Sequence, residues 1–136
     1  MVWRMAAALA LAAGLSGPVR ADGDGEAIER VIENQMEAFR AGDPVAAFEF
    51  ASPTIRGLFG TPENFGRMVA TGYPPIWQPG AVRFLGLTER GGRLQQRVEV
   101  TGPQGRTHLF DYEMIPTEAG WKINGVRPVA GAELGV

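Results

Sequence analysis

The side chains that could do chemistry are few, and they sit on strand-like stretches. There is one histidine, His108, and there are two tyrosines, Tyr73 and Tyr112; cysteine is absent. His108 is the only side chain whose ordinary pKa lies near neutrality. Tyr112 follows four residues later, so in an extended strand both face one way, together with Phe110 and Met114. An isomerase-type site pairs a carboxylate base with a donor for the developing oxyanion. Tyr112 can supply the donor. The carboxylate is missing, because Asp111 and Glu113 alternate onto the opposite face and Asp43 is better explained as a helix cap. His108, just after a turn, reads as a rim residue. The sequence therefore predicts no catalytic constellation. An isomerase- or dehydratase-like enzyme using Tyr112 and His108 stands as an alternative.

Metal chemistry has little to work with. One histidine and no cysteine leave a transition metal almost without ligands. The run Asp22-Gly-Asp-Gly-Glu26 resembles the start of a calcium loop, with Glu33 at the twelfth place. The sixth place, however, is Ala27, where that loop needs glycine. No metal and no cofactor are expected. Formal charge is −2, and the arginines at 83, 90, 93, 97 and 106 are scattered among turns and strands. Nucleic-acid binding is not expected from such a pattern.

Binding is the better prospect. Gln35 interrupts an apolar stripe formed by Ile28, Val31, Ile32 and Phe39. A buried amide must find a hydrogen-bond partner, at a cost of about 1–3 kcal/mol if it does not. It is either a core glutamine bonded to backbone or a polar group on a cavity wall. Gln96 poses the same question on a strand face shared with Leu94 and Val98. A few polar atoms among apolar walls is the usual make-up of a small-molecule site. The candidate cavity residues are Gln35, Phe39, Phe59, Gln96, Phe110, Tyr112 and Trp121.

The elements that must position these residues are legible. A helix is predicted from about 24 to 41, capped by Asp22 or Asp24 and stopped by Gly42. Asp43-Pro44, Ser52-Pro53 and Thr61-Pro62 then recur nine residues apart. In each pair the first side chain can accept from a free backbone N–H, and proline fits the first helical position. Three short helices follow, too short to be stable alone. Tyr73-Pro-Pro-Ile-Trp-Gln-Pro79 is expected to be extended. It reads as a crossover over the sheet edge or cavity mouth, or as an exposed partner-binding strip. Beyond Ala81 the period changes to two. Strands are predicted at 82–89, 94–101, 106–115 and 121–127, with a bulge at Asn124-Gly125. Helices followed by strands give an α+β fold, with helices packed on one face of an antiparallel meander. Leu85 and Leu87 alternate with Val82 and Phe84, so both faces of the first strand look apolar. That suggests a homodimer or a second cover over the sheet.

The first residues read as a targeting segment. A positively charged start is followed by the apolar run Met5–Leu15 and by small residues ending at Ala21. The run is shorter than the roughly 20 residues of a membrane span. The expectation is a cleaved signal peptide at 1–21, one domain at 22–128, a loose tail at 129–136, and a periplasmic or secreted protein with no stable membrane insertion. Met1–Ala21 holds two arginines and no acid, so 11 basic and 15 acidic residues remain after cleavage, a net of −4.

The segments Q-M-E-A-F-R-A-G-D (35–43), A-F-E-F-A-S-P (47–53), F-G-T-P-E-N-F (59–65), M-V (68–69), Y-P-P (73–75) and G-W-K-I-N-G-V (120–126) resemble bacterial domain-of-unknown-function family 4864. The last of them also looks like the closing strand of the nuclear-transport-factor-2-like (cystatin-like) superfamily. That resemblance implies a curved sheet wrapped around helices, often with a conical cavity, and names no activity. The function expected is non-catalytic: binding of a small apolar ligand or a protein partner. A homodimeric interaction module with a filled core is a further alternative.

Overall fold

Capping chemistry sets the helical half. The computed structural model describes residues 21–130, and its first helix, α1, runs Ala21–Arg40. It fully buries Ile28, Ile32 and Met36, and Phe39 almost so. Steps of four, four and three place them on one stripe. Its end is a Schellman motif. Gly42 takes φ +67°, its N–H donates to Phe39 O at 2.9 Å, and the Asp43 N–H donates to Ala38 O at 2.9 Å. Asp22 and Asp24, expected as caps, lie inside α1.

The three cap–Pro pairs start α2 (Pro44–Phe48), α3 (Pro53–Phe59) and α4 (Pro62–Gly72). The Asp43 carboxylate accepts from Ala46 N–H at 3.1 Å. The Ser52 hydroxyl accepts from Ile55 N–H at 3.2 Å, and the Thr61 hydroxyl from Asn64 N–H at 3.1 Å. Packing between α2 and α4 requires glycine at one point: a Cβ on Gly66 would stand 2.9 Å from Pro44 Cβ.

The proline-rich segment departs from expectation. Pro74–Trp77 forms a single helical turn, α5, and not an extended path. Pro74 and Pro75 occupy the first helical positions, where no N–H is needed and their fixed φ is already helical. The Ile76 and Trp77 N–H groups donate to Tyr73 O at 2.9 and 3.0 Å, and the Gln78 N–H to Pro74 O at 3.0 Å.

The strands β1 (Val82–Arg90), β2 (Arg93–Thr101), β3 (Thr107–Thr117) and β4 (Gly120–Pro128) form an antiparallel meander in the order β1-β2-β3-β4. Two bulges bend it. In β4, Gly125 pairs with Glu113 and Ile123 with Met114, which leaves Asn124 extra. In β1, Phe84 pairs with Val98 and Gly86 with Arg97, which leaves Leu85 extra. The second bulge corrects the two-faced reading of β1. It resets the alternation, so Val82, Phe84 and Leu87 all pack on the core. Leu85 alone is left outside, 45% exposed.

Helices α1 and α3 pack against β4 and α5 against β2, while α2 and α4 pack chiefly on the other helices. The free edge of β4 is held by Phe50–Ser52, which runs parallel to it: Ile123 N–H donates to Phe50 O at 2.9 Å and Ser52 N–H to Ile123 O at 2.8 Å. After β4 the chain is still pinned where looseness was expected, because Val129 N–H donates to Leu109 O at 2.9 Å. The expected signal segment, apart from Ala21, and residues 131–136 lie outside the described residues. No described helix is long and apolar enough to cross a membrane.

Candidate ligand-binding site

The helices and sheet do not close completely on one another. Between them lies a pocket of about 230 Å³. Gln35 and Phe39 of α1 form one wall. Ile55, Leu58 and Phe59 of α3, with Phe65, Met68 and Val69 of α4, form the roof. Tyr73, Ile76 and Ala51 close the sides, and Ile123, Gly125 and Val126 of β4 form the floor. None of these residues is charged. Leu58, 73% exposed, stands at the mouth. Phe65 anchors the aromatic part of the wall, with its ring centroid 5.9 Å from Phe39, 5.4 Å from Phe48 and 5.8 Å from Phe59. Edge-on and tilted contacts at these distances hold rings in fixed places, so the wall is built before any ligand arrives.

Two polar side chains reach the pocket, and both have donors already engaged. Gln35 Nε2 donates to Ala47 O at 3.1 Å, and the Tyr73 hydroxyl donates to Val126 O at 3.2 Å. The first adds a bond to a carbonyl near the end of the short α2 that also accepts from Phe50 N–H at 3.2 Å, and the second meets a carbonyl on the edge of β4. The pocket is therefore apolar in effect, with an amide and a phenol at its border.

Of the seven residues expected in the cavity, Gln35, Phe39 and Phe59 line this pocket. Gln96 does not. It is 2% exposed, and its Nε2 donates to Gly86 O at 3.1 Å and Arg97 O at 2.9 Å. It serves the β1 bulge, where the ladder leaves a carbonyl unpaired. Phe110 lies behind the wall, with its ring 6.2 Å from Tyr73. Trp121 packs on the core without reaching the pocket. Tyr112 is fully buried, and its hydroxyl has no partner among the described residues. Burial pushes that phenol far above its ordinary pKa.

The Tyr112–His108 alternative meets a geometric obstacle. Four residues along one strand separate the two by about 13 Å, at 3.3 Å per residue. Tyr112 is sealed in the core, while His108 stacks on Phe110 at 6.3 Å and packs near Gly102, where a Cβ would stand 3.3 Å from its Nε2. The two groups cannot act on one reacting atom. Among the described residues, no group of three or more His, Asp or Glu side chains is placed to hold a metal.

The outer sheet face has a different character. Arg83 Nε lies 2.8 Å from Glu99 Oε1, and Arg93 Nη1 lies 2.8 Å from Glu113 Oε2. Arg97 grips Asp111 with two bonds, at 2.9 and 3.0 Å. Arg127 approaches the same carboxylate at 3.4 Å. The Arg97 hydrogen bond holds the Asp111 carboxyl below the usual carboxylate range, against the opposing effect of burial. Hydrogen bonding from Asn124, reinforced by Arg93 and Gln95, does the same for Glu113. Paired charges therefore dominate this part of the outer face. A groove of about 650 Å³ crosses this face, lined by Arg90, Gly91, Arg93, Gln95, Asp111, Glu113, Gly125, Val126 and Arg127.

The sequence singled out Gln35, Phe39 and Phe59 but missed Ala51, Ile55, Leu58, Phe65, Met68, Val69, Tyr73, Ile76 and the β4 floor as pocket residues. The signal lay in the steps of three and four within α3 and α4, namely Ile55, Leu58, Phe59 and Phe65, Met68, Val69. Which of these steps met a void was a tertiary fact.

The fold and site define an α+β protein whose helices cover a curved antiparallel sheet and leave a small apolar pocket. The chain belongs to the family described as Domain of unknown function (DUF4864), whose model matches residues 21–133. No curated protein and no solved structure matches.

Proposed function

We propose that the protein is a non-catalytic binder of a small apolar molecule, seated beneath α3 and α4. One observation carries this reading: a pocket of about 230 Å³ bordered by fourteen residues, none of them charged. A dry apolar cavity of about 150 Å³ is enough to take up benzene. The present volume suits a somewhat larger body, below the roughly 300–1,000 Å³ of drug-sized sites. The signal-like segment Met1–Ala21 supports export, which places the binder in the periplasm or outside the cell. The closing segment G-W-K-I-N-G-V supports kinship with nuclear-transport-factor-2-like proteins.

Native mass spectrometry of protein purified from its own host tests the function. The expected result is a complex that releases a small molecule on activation. The bound mass should disappear in Val69→Trp, which fills the pocket from a position only 5% exposed. A bare protein that also fails to take up an apolar fluorescent probe would sink the reading. Cell fractionation with sequencing of the mature N-terminus tests export. The full-length chain recovered from the cytoplasm would refute it.

A further inference from the structure

One polar group on the pocket wall is only half used by the fold. Gln35 lies on α1 one helical turn before Phe39, and both line the pocket. Gln35 is 3% exposed. Its Nε2 donates to Ala47 O at 3.1 Å, and that bond fixes which way the amide faces. A flipped amide would set two oxygens against each other at the same distance, so Oε1 is the end left over. No described residue donates to that oxygen. Nor is it sealed in: among the described residues, the Tyr112 hydroxyl is the one sealed side-chain polar atom without a partner. A side chain this deeply buried, lining the pocket, has its oxygen reachable from the pocket and from nowhere else.

The other polar group at the border points to the same need. The half-buried Tyr73 hydroxyl gives its proton to Val126 O, so towards a ligand it too can only accept. The remaining lining side chains offer hydrocarbon and one thioether. A charged ligand does not fit such walls, since burying an unpaired ion is very unfavourable. An acceptor held away from bulk water is best satisfied by a ligand that brings the missing proton.

We propose that the ligand is a neutral, compact apolar molecule carrying one hydrogen-bond donor, a hydroxyl or a ring N–H, and that Gln35 Oε1 accepts from it. This rests on the reading of the pocket as a ligand site. It goes further by fixing the ligand's charge, its one polar group and the residue that selects it.

Indole, benzofuran and indene test this, because they share one bicyclic shape. Indole carries an N–H donor, benzofuran a ring oxygen without a proton, and indene neither. Each is titrated calorimetrically into the full-length protein and into Gln35→Met, which keeps the side chain's length and loses the amide. The ratio of indole to benzofuran affinity is expected to be about tenfold higher in the wild-type protein than in Gln35→Met, and the ratio of indole to indene likewise. Comparing ratios cancels the probes' different affinities for water. In Tyr73→Phe both ratios should stay at the wild-type value. Thermal midpoints report that each variant keeps its fold. A readout on the wild-type protein alone is the Gln35 side-chain carbonyl carbon resonance, which should move with indole and stay in place with indene. Ratios unchanged in Gln35→Met, or a carbonyl resonance that indole leaves unmoved, overturn the donor inference and leave the apolar pocket standing. Ratios lost in Tyr73→Phe and kept in Gln35→Met overturn the assignment to Gln35. Failure of all three probes to bind the wild-type protein overturns the pocket reading itself.

Discussion

The Ser52 hydroxyl donates to Asn124 Oδ1 at 2.7 Å, and this bond ties the roof of the pocket to the sheet. Ser52 is completely buried. Its oxygen also accepts from Ile55 N–H, the cap of α3. Asn124 in turn donates to Glu113 Oε2 at 2.7 Å. A continuous polar path thus runs from a helix start, through a strand bulge, to the charged outer face. The extra residue of the bulge is what lets an Asn side chain reach both ways. Helix α3 buries none of its own residues, so this clasp and the Ile123 backbone bonds anchor its start.

Replacing Ser52 by alanine removes both a cap and a cross-element bond. The expected loss is about 1–3 kcal/mol, combining typical cap values with an unpaired Asn124 oxygen. Urea denaturation measures it. Hydrogen exchange should accelerate at Ile55 and Arg56, the first N–H groups of α3 to lose their hold. A loss below about 0.5 kcal/mol would mean that the backbone bonds to Ile123 suffice alone.

The outer carboxylates make acid stability predictable in sign. Asp111 and Glu113 both have lowered pKa values in the folded protein. The folded state therefore binds protons less readily than the unfolded chain. Their contribution is fully present above the ordinary carboxylate range, near pH 4, and is lost as pH falls through the lower folded values. Urea midpoints should hold steady from neutrality to about pH 5 and drop below that. Arg97→Gln should flatten the acid-side slope by removing the main partner of Asp111. An unchanged slope would mean that Asp111 titrates normally.

Much of this architecture was written in the sequence, for local reasons. Asp43, Ser52 and Thr61 each signalled a helix start, because a cap needs only its own next three residues. The same locality misled at Pro74. Proline density argued for an extended path, whereas Tyr73 O accepts two N–H groups and closes one turn. The bulge at Asn124 was legible from Asn-Gly, and the one at Leu85 was passed over although Phe84-Leu85 breaks the alternation and Gly86 inside the strand is a bulge signal. The Gly86 carbonyl is satisfied from the neighbouring strand by Gln96. The pocket was half legible for a related reason. Gln35 and Gln96 look alike as amides in apolar stripes, yet one meets a void and the other a bulge. That difference depends on residues distant in the chain.

Tyr112 gives a prediction of unusual sign. Its hydroxyl is buried without a partner among the described residues, and such a group costs about 1–3 kcal/mol of desolvation. Tyr112→Phe deletes that group and keeps the ring. Stability should stay level or rise by about 1 kcal/mol, where most core substitutions destabilise. Denaturant melts of the two proteins decide the matter. A loss above about 1 kcal/mol would reveal a buried water on the hydroxyl.

Leu58 tests whether the pocket mouth has a binding role. A leucine 73% exposed at the end of α3 adds little to folding, so Leu58→Ser should change stability by no more than about 0.5 kcal/mol. A ligand seated in the pocket would cover part of that side chain. At roughly 25 cal/mol per Å² of apolar surface, covering some 40 Å² contributes about 1 kcal/mol. The variant should therefore bind an apolar probe about fivefold more weakly. Val45, 54% exposed on α2 and away from the pocket, is the matched control. Val45→Ser removes similar exposed apolar surface and should leave probe affinity unchanged. Equal weakening in both variants would trace probe binding to general surface hydrophobicity. Weakening confined to Leu58→Ser would locate it at the mouth beneath α3.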